Sequence, residues 1–384
     1  MKNNSFRLAA LIICFAFVLS VCGCVKRAES DNGYDTMGNA LLYTNKLASS
    51  FYGDGVLYFK SSSFYRSFID YYVVNDNEYG TLCARPECTH NSASCDGYAA
   101  GVKSAQLTMY GGRLYYMVQQ PDTGEFQLVS RTPGGRDLKV HLKYDQTTFS
   151  GIGVKLAAIC DGTLYMCGDA VEVRNGKGMK NAVLYSQRLD GGEPELLFEK
   201  EFEYPPLVKR VENTVWFALS GKGELKLYSF DMETRELTEE ITYPSERVFT
   251  EMLIVPEGFL FVDENSVWLF DTESRNLKER ISFSRPEDSI FAVSDGAVFL
   301  LTDQTHYRCV DWSGKQLAEG RIAGGDGFEL KESIKTPIGC IDGKIFFLAA
   351  TLMSEAEPHV YFISYDPNTD EFSLIYSSKL RMDG

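Results

Sequence analysis

Histidine is scarce in this chain: four residues in 384, at His90, His141, His306 and His359, scattered far apart. No H-E-x-x-H, G-x-S-x-G, Walker or G-x-G-x-x-G motif occurs, so the common signatures of metalloproteases, hydrolases and nucleotide-dependent enzymes are missing. Cationic excess is also missing. Lys and Arg number 38 against 53 Asp and Glu, for a formal net charge of -15, which repels polyphosphate and excludes nucleic acid as a partner. No segment sustains a helical period. Long apolar runs are absent except for one near the N-terminus, Leu8 to Val21, which is short for a membrane span. What is present is apolar and aromatic: 44% hydrophobic and 13% aromatic residues, ample for a packed core.

The N-terminal run follows Lys2 and Arg7 and ends in Val21-Cys22-Gly23-Cys24, the layout of a secretory signal. Its ending resembles a bacterial lipobox, in which a small residue precedes the cysteine that becomes diacylated. Gly23 before Cys24 fits; Val21 before Cys22 fits poorly. An uncleaved anchor helix or a plain signal peptide is the alternative. Val25 to Asn39 carries Gly, Asp, Asn and Lys without apolar pattern and reads as a tether. The expected division is a lipoprotein signal peptide over 1–23, a flexible tether over 24–39 and one folded unit over 40–380.

That unit is built on a repeated signal, a two-residue turn running into an apolar strand. Cys160-Asp-Gly-Thr-Leu-Tyr-Met166 is one copy. Others begin at Tyr52, Tyr110, Val211, Pro256, Val293 and Cys340. Asp-Gly and Gly-Gly between apolar runs are hairpin signals, because the favoured turn needs positive φ at both central residues. The aligned marker position of the copies falls at Gly55, Gly112, Gly162, Thr214, Gly258, Gly296 and Gly343, at intervals of 57, 50, 52, 44, 38 and 47 residues. Strand-built periods of about 40–50 residues belong to propeller blades. A strand precedes each turn and three follow, so each repeat holds four antiparallel strands. Alone, such a sheet would expose two apolar faces; packed radially, neighbours cover each other. The reading is an all-β propeller of seven four-stranded blades. An eighth blade stays open because the first interval is long. Closure is open too, between a last blade that owns its outer strand (Phe372 to Tyr376) and one completed by Leu41-Leu-Tyr-Thr44.

The most distinctive stretch is Leu82-Cys-Ala-Arg-Pro-Glu-Cys-Thr-His-Asn-Ser-Ala-Ser-Cys95. Cys83, Cys88, His90 and Cys95 are three thiols and one imidazole, the ligand number and type for tetrahedral zinc. The spacing, C-x4-C-x-H-x4-C, matches no common zinc knuckle, and His90 must turn back sharply to share an ion with Cys88. Outside the cytoplasm a disulfide stapling the loop competes with the metal, and free or redox-active thiols are a third reading. Cys160, Cys167, Cys309 and Cys340 fall in or beside strands and are expected to pack as small hydrophobes. Trp216 and Trp268 occupy equivalent strand sites and are expected between blades. Asp263 with Glu264, and Glu355 with Glu357, are acid pairs that could line the channel mouth as a glycosidase requires, or be solvated loop residues.

With signal, tether, repeats and Cys/His block in view, the chain resembles surface lipoproteins of Gram-positive Firmicutes whose ectodomain is a β-propeller. In these an N-terminal blade carries a block much like Cys83-Ala-Arg-Pro-Glu-Cys-Thr-His90 with a trailing Cys95. The resemblance spans nearly the whole chain, though only that block and the lipobox are specific. It implies a propeller, lipidation at Cys24 and a place on the outer face of the cytoplasmic membrane; it implies no activity. The functional expectation is a lipid-anchored binding or assembly module whose partners are the membrane, through its anchor, and an envelope glycan or protein. The rivals are a carbohydrate-active enzyme with acids at the channel mouth and a structural subunit of an envelope complex.

Overall fold

The computed structural model describes residues 48–379 apart from 54, 62–67, 91–93, 100–106, 120–122, 124, 145–151, 175–176, 256–257, 264–265, 284–288, 294–296, 304, 323–329, 331–332 and 352–358. Cys24, the expected signal peptide and tether, and Leu41 to Thr44 lie outside the described residues. Among those described there is no helix. The strands, β1 to β28 in chain order, form seven four-stranded antiparallel sheets, each ordered as it occurs in sequence. Blade 1 runs from Ala48 to Thr81, blade 2 from Thr108 to Tyr144 and blade 3 from Ile152 to Glu201. Blade 4 runs from Leu207 to Pro244, blade 5 from Glu251 to Ser282, blade 6 from Ser289 to Arg321 and blade 7 from Ser333 to Lys379.

The hairpin turns follow the chemistry read from the sequence. Gly111 and Gly112 have φ of 54° and 68°, Asp161 and Gly162 of 44° and 66°, Asp342 and Gly343 of 51° and 77°. Positive φ at both positions matches the turn to the right-handed twist of its flanking strands. Each turn joins the first strand of a blade to its second. The first strands of neighbouring blades lie side by side around the axis, with β25 (Ser333–Ile341) returning to β1 (Ala48–Gly53).

Strand alternation explains why the blades need each other. In β2 (Val56–Ser61), Leu57 and Phe59 face blade 7 while Val56 and Tyr58 face blade 2. In β26 (Lys344–Thr351), Phe346, Leu348 and Ala350 face blade 1 while Ile345, Phe347 and Ala349 face blade 6. Both faces of a strand are apolar because both are covered. An apolar core accordingly lies between every neighbouring pair, including blades 7 and 1. Buried hydrogen bonds cross the same seams: Ser50 Oγ donates to the Ile338 carbonyl at 2.7 Å, and the Tyr165 hydroxyl to the Met232 carbonyl at 2.9 Å.

The blade count is seven. The long first interval holds no extra blade; its surplus residues form the connection from Thr81 to Thr108, the longest between blades. The last blade takes all four strands from residues 333–379, with β28 (Glu371–Lys379) outermost. In six blades the outermost strand carries one extra residue against its neighbour, as Glu240 does between Ile241 and Glu239. Such bulges add twist and blunt exposed edges. Blade 1 has none.

Candidate metal centre

The outermost strand of blade 1, β4 (Glu78–Thr81), is held by a buried carboxylate. Asp70 accepts the hydroxyls of Thr81 and Tyr79, each at 2.7 Å. Beyond Thr81 the chain leaves the sheet in a run of short-range turns. Leu82 N–H donates to the Ile69 carbonyl at 2.8 Å, Cys83 N–H to the Thr81 carbonyl at 2.7 Å, and Cys88 N–H to the Arg85 carbonyl at 3.1 Å across Pro86-Glu87. His90 then adopts φ of 52°, the left-handed region that reverses the chain. That reversal is what the close spacing of Cys88 and His90 requires. The segment returns to blade 1 through a Tyr98 N–H to Cys95 carbonyl bond of 3.0 Å and an Ile69 N–H to Gly97 carbonyl bond of 2.9 Å.

The result is convergence. One ligand atom each from Cys83, Cys88, His90 and Cys95 lies within 4.8 Å of the other three. His90 Nδ1 stands 3.4 Å from Cys95 Sγ. A tetrahedral zinc with Zn–S about 2.3 Å and Zn–N about 2.0–2.1 Å holds its donors about 3.4–3.8 Å apart, so the set fits such an ion after a small contraction. A disulfide would join two sulfurs and leave the third sulfur and the imidazole nitrogen without reason to gather there. Cys83, Cys88 and Cys95 are thiols in this structure, none in a disulfide.

The surroundings suit thiolates. Burial pushes the Cys83 thiol up, but N–H groups of Arg85 and Asp96, with the Cys95 and Cys88 thiols, carry it below the ordinary value. Burial pushes Cys95 up to about 12, opposed by the Gly97 N–H. In both cases the amide two residues on points at the sulfur, a turn that favours the charged ligand. The Arg85 guanidinium lies 3.8 Å from Cys88 Sγ, pairs with Asp96 at 3.7 Å and donates to the Ser94 carbonyl. Three thiolates around a dication leave one surplus negative charge, and Arg85 is placed to offset it. A metal bound here would displace the thiol protons, working against the burial that holds the proton on Cys95.

Two glycines set how deeply the block seats. A Cβ on Gly97 would stand 2.8 Å from the Leu82 carbonyl oxygen, and one on Gly135 also 2.8 Å. Gly135, with φ of 78°, belongs to the turn between β7 (Phe126–Arg131) and β8 (Lys139–Tyr144) of blade 2. The backbone entering the centre is thus clasped between its own returning segment and the next blade.

Other expected residues fall elsewhere. Cys160, Cys167, Cys309 and Cys340 pack in or against the cores between blades, as small hydrophobes should. Trp216 and Trp268 pack against the core between blades 4 and 5, not as an open platform. Asp263 is occupied: it accepts the Trp268 indole N–H at 3.0 Å and pairs with Arg247 at 3.0 Å, while that guanidinium stacks 3.8 Å over the indole. Glu264, Glu355 and Glu357 lie outside the described residues. Arg85, Asp96, Gly97 and Gly135 were not singled out by sequence. The signal for the first three is a position next to or two past a cysteine; Gly135 has none. Buried charges went unforeseen as well, among them the Lys209–Glu251 pair at 3.2 Å, and Lys335, which desolvation lowers to about 8.

No protein-family description and no curated relative matches the chain. Solved structures do, at low identity. TolB from Acinetobacter baumannii is 14% identical over 87% of this chain and 78% of that one, with a TM-score of 0.36. A nidogen/laminin complex is 13% identical over 60% of this chain and 76% of that one, at 0.37. The acylaminoacyl peptidase of Pyrococcus horikoshii is 11% identical over 89% of this chain and 54% of that one, at 0.47, so this chain spans about half the peptidase's length. What this chain is similar to in each case is a fold.

Proposed function

We propose that this protein is a lipid-anchored, extracytoplasmic β-propeller that binds an envelope glycan or protein partner, with a zinc ion held at Cys83, Cys88, His90 and Cys95. The observation that carries the binding reading is the asymmetry of the disc. Connections from first to second strands span two or three residues, and those from third to fourth strands four to seven. Connections from one blade to the next include the longest, Thr81 to Thr108 and Arg321 to Ser333. The longest connections therefore start and end on one face of a rigid frame, an arrangement that supports recognition. In blade 3, β10 (Thr163–Arg174) and β11 (Lys177–Arg188) continue past their neighbours as a two-stranded arm beyond Ala170 on that same looped side.

Zinc is the ion this donor set selects, since soft thiolates with an imidazole in tetrahedral array are its usual company. Four protein ligands leave no open position, which makes the ion structural rather than catalytic. Anchoring rests on Gly23-Cys24 and the basic, apolar segment before it.

The test is native mass spectrometry of the full-length chain in detergent after incubation with its own envelope extract, alongside membrane fractionation of Cys24→Ser. A retained glycan or protein, with Cys24→Ser released from the membrane, is the expected result. A bare chain from every envelope fraction and an unaltered membrane distribution of Cys24→Ser would refute both halves.

A further inference from the structure

Resting on the zinc reading above, we infer that the Cys83–Cys95 centre is a clamp that holds the seam between blades 1 and 2 closed, adding there to the side-chain packing that joins separate sheets at every seam.

The strands flanking this seam are the least paired within their own blades. Its two flanking strands are the shortest of their kind: β4 has 4 residues where other outermost strands have 6 to 9, and β5 (Thr108–Tyr110), the innermost strand of blade 2, has 3. The β3–β4 pairing spans only Asp70↔Thr81 to Val73↔Glu78. The core between these blades is also not made by strands alone. Leu82, Ala99 and Leu107 belong to the long connection, and they pack with Tyr58 and Ile69 of blade 1 and Leu114, Tyr116 and Val129 of blade 2. A connection of that length is an entropic liability, because each residue it fixes gives up backbone freedom. Something must fix Leu82 and Ala99 before they can serve as core.

The four donors sit where that fixing is needed. Cys83 follows Leu82 directly, and Cys95 lies four residues before Ala99. Joining Cys83 to Cys95 through one ion closes the loop between the two core residues and brings the Leu82 carbonyl against Gly97. The same carbonyl then meets Gly135 in blade 2, so the closed loop is pressed onto the next blade. Cys95 is itself buried at 4% exposure. The ion would therefore order both the loop and the surface on which blade 2 docks.

The experiment is peptide-resolved hydrogen exchange on the full-length chain, zinc-loaded and after treatment with a chelator, with metal content read by native mass spectrometry. The clamp predicts one zinc per chain. Stripping it should raise exchange about tenfold or more in residues 69–82, 97–99, 107–117 and 132–137, while blades 4 to 6 stay protected. His90→Cys, which keeps four soft ligands, should retain both metal and protection; Cys88→Ala should lose both. If zinc binds but its removal loosens only residues 83–95, the clamp is wrong and the zinc reading stands. If no zinc binds, or the mass shows a disulfide loss of two hydrogens, the zinc reading fails and the clamp with it.

Discussion

Gly97, Gly134 and Gly135 offer a test of how the Cys/His block is seated, because the three differ in what an added methyl group would meet. At Gly134 a Cβ would find nothing within 4 Å. At Gly97 it would stand 2.8 Å from the Leu82 carbonyl oxygen and 2.9 Å from Thr81 Cγ2. At Gly135 it would meet the Leu82 carbonyl oxygen at 2.8 Å, its carbon at 2.9 Å and Cys83 N at 3.0 Å, on a backbone whose φ is 78°. Apart from Thr81 Cγ2, the struck atoms are main chain and cannot swing away. Leu82 N–H is already bonded to the Ile69 carbonyl at 2.8 Å, so yielding means breaking the exit from β4.

Magnitudes follow from these terms. Gly134→Ala should be neutral or slightly stabilising, by up to about 0.5–1 kcal/mol, through reduced freedom of the unfolded chain. Gly97→Ala overpacks a closed site and should cost about 1–3 kcal/mol. Gly135→Ala adds the left-handed penalty of about 1–2 kcal/mol to a similar clash, for about 2–5 kcal/mol in total. With unfolding entropy near 2 cal/mol/K per residue, each kcal/mol moves the midpoint of a disc this size by roughly 1–2 °C. The assay is thermal unfolding of the three variants beside the parent, with zinc content read on each. The order Gly134→Ala, Gly97→Ala, Gly135→Ala should hold for stability loss, and metal should be lost in the same order because Cys83 moves with Leu82. A Gly135→Ala protein as stable and as metal-replete as Gly134→Ala would refute the clasped seating.

Two further outcomes test charges inside the disc. Lys335 is 8% exposed, with its ammonium donating to the Ser333 carbonyl at 3.3 Å, and desolvation lowers it to about 8 from an ordinary 10.5. Between those pH values the unfolded chain holds the extra proton, so this residue makes stability rise with pH across about 8 to 10.5, and its full cost, on the order of 3 kcal/mol, applies below pH 8. Lys335→Met should therefore raise the thermal midpoint at pH 7 and lose that advantage by pH 10; a lower midpoint at pH 7 would show that the ammonium's partners outweigh its burial. Asp263→Asn keeps an acceptor for the Trp268 indole but removes the charge facing Arg247. It should cost about 1 kcal/mol and shift tryptophan fluorescence without altering envelope binding; a loss of binding would return Asp263 to the list of functional acids.

How far the sequence could be read depended on the range of the interaction involved. The turn at Asp161-Gly162 was legible because its cause is local: two adjacent residues must take positive φ, and the residue types say which can. The blade count followed from the recurrence of that turn. Alternation in β2 and β26 was legible only as continuous apolar strands; which face met which blade needed the ring. The donors of the metal centre were visible as residue types. Their convergence was not, since it depends on His90 taking φ of 52° and on Gly135, some fifty residues away, admitting the Leu82 carbonyl. Lys209 and Glu251 were invisible for the same reason, because their pairing is set by the alignment of neighbouring blades.

A ring of near-identical blades has no built-in place for a special site, so departures from the repeat carry the information. Blade 1 departs most. It is followed by the longest interval, has the shortest outermost strand, lacks the bulge shared by the other six, and hands the chain to the shortest innermost strand. A seam made only of such parts would be the first to open, and a ring is only as closed as its weakest seam. The Cys/His block lies at that seam and not at any better-paired one. Structural zinc in small peptide sites contributes about 10–16 kcal/mol of apparent binding energy at neutral pH, far more than a few missing ladder bonds at about 1 kcal/mol each. With zinc held as proposed, coordination would outweigh the missing ladder bonds, and closure of the disc would be conditional on metal supply and thiol state. Ring integrity in this protein would then follow the redox and metal conditions of its compartment, which strand pairing alone could not report.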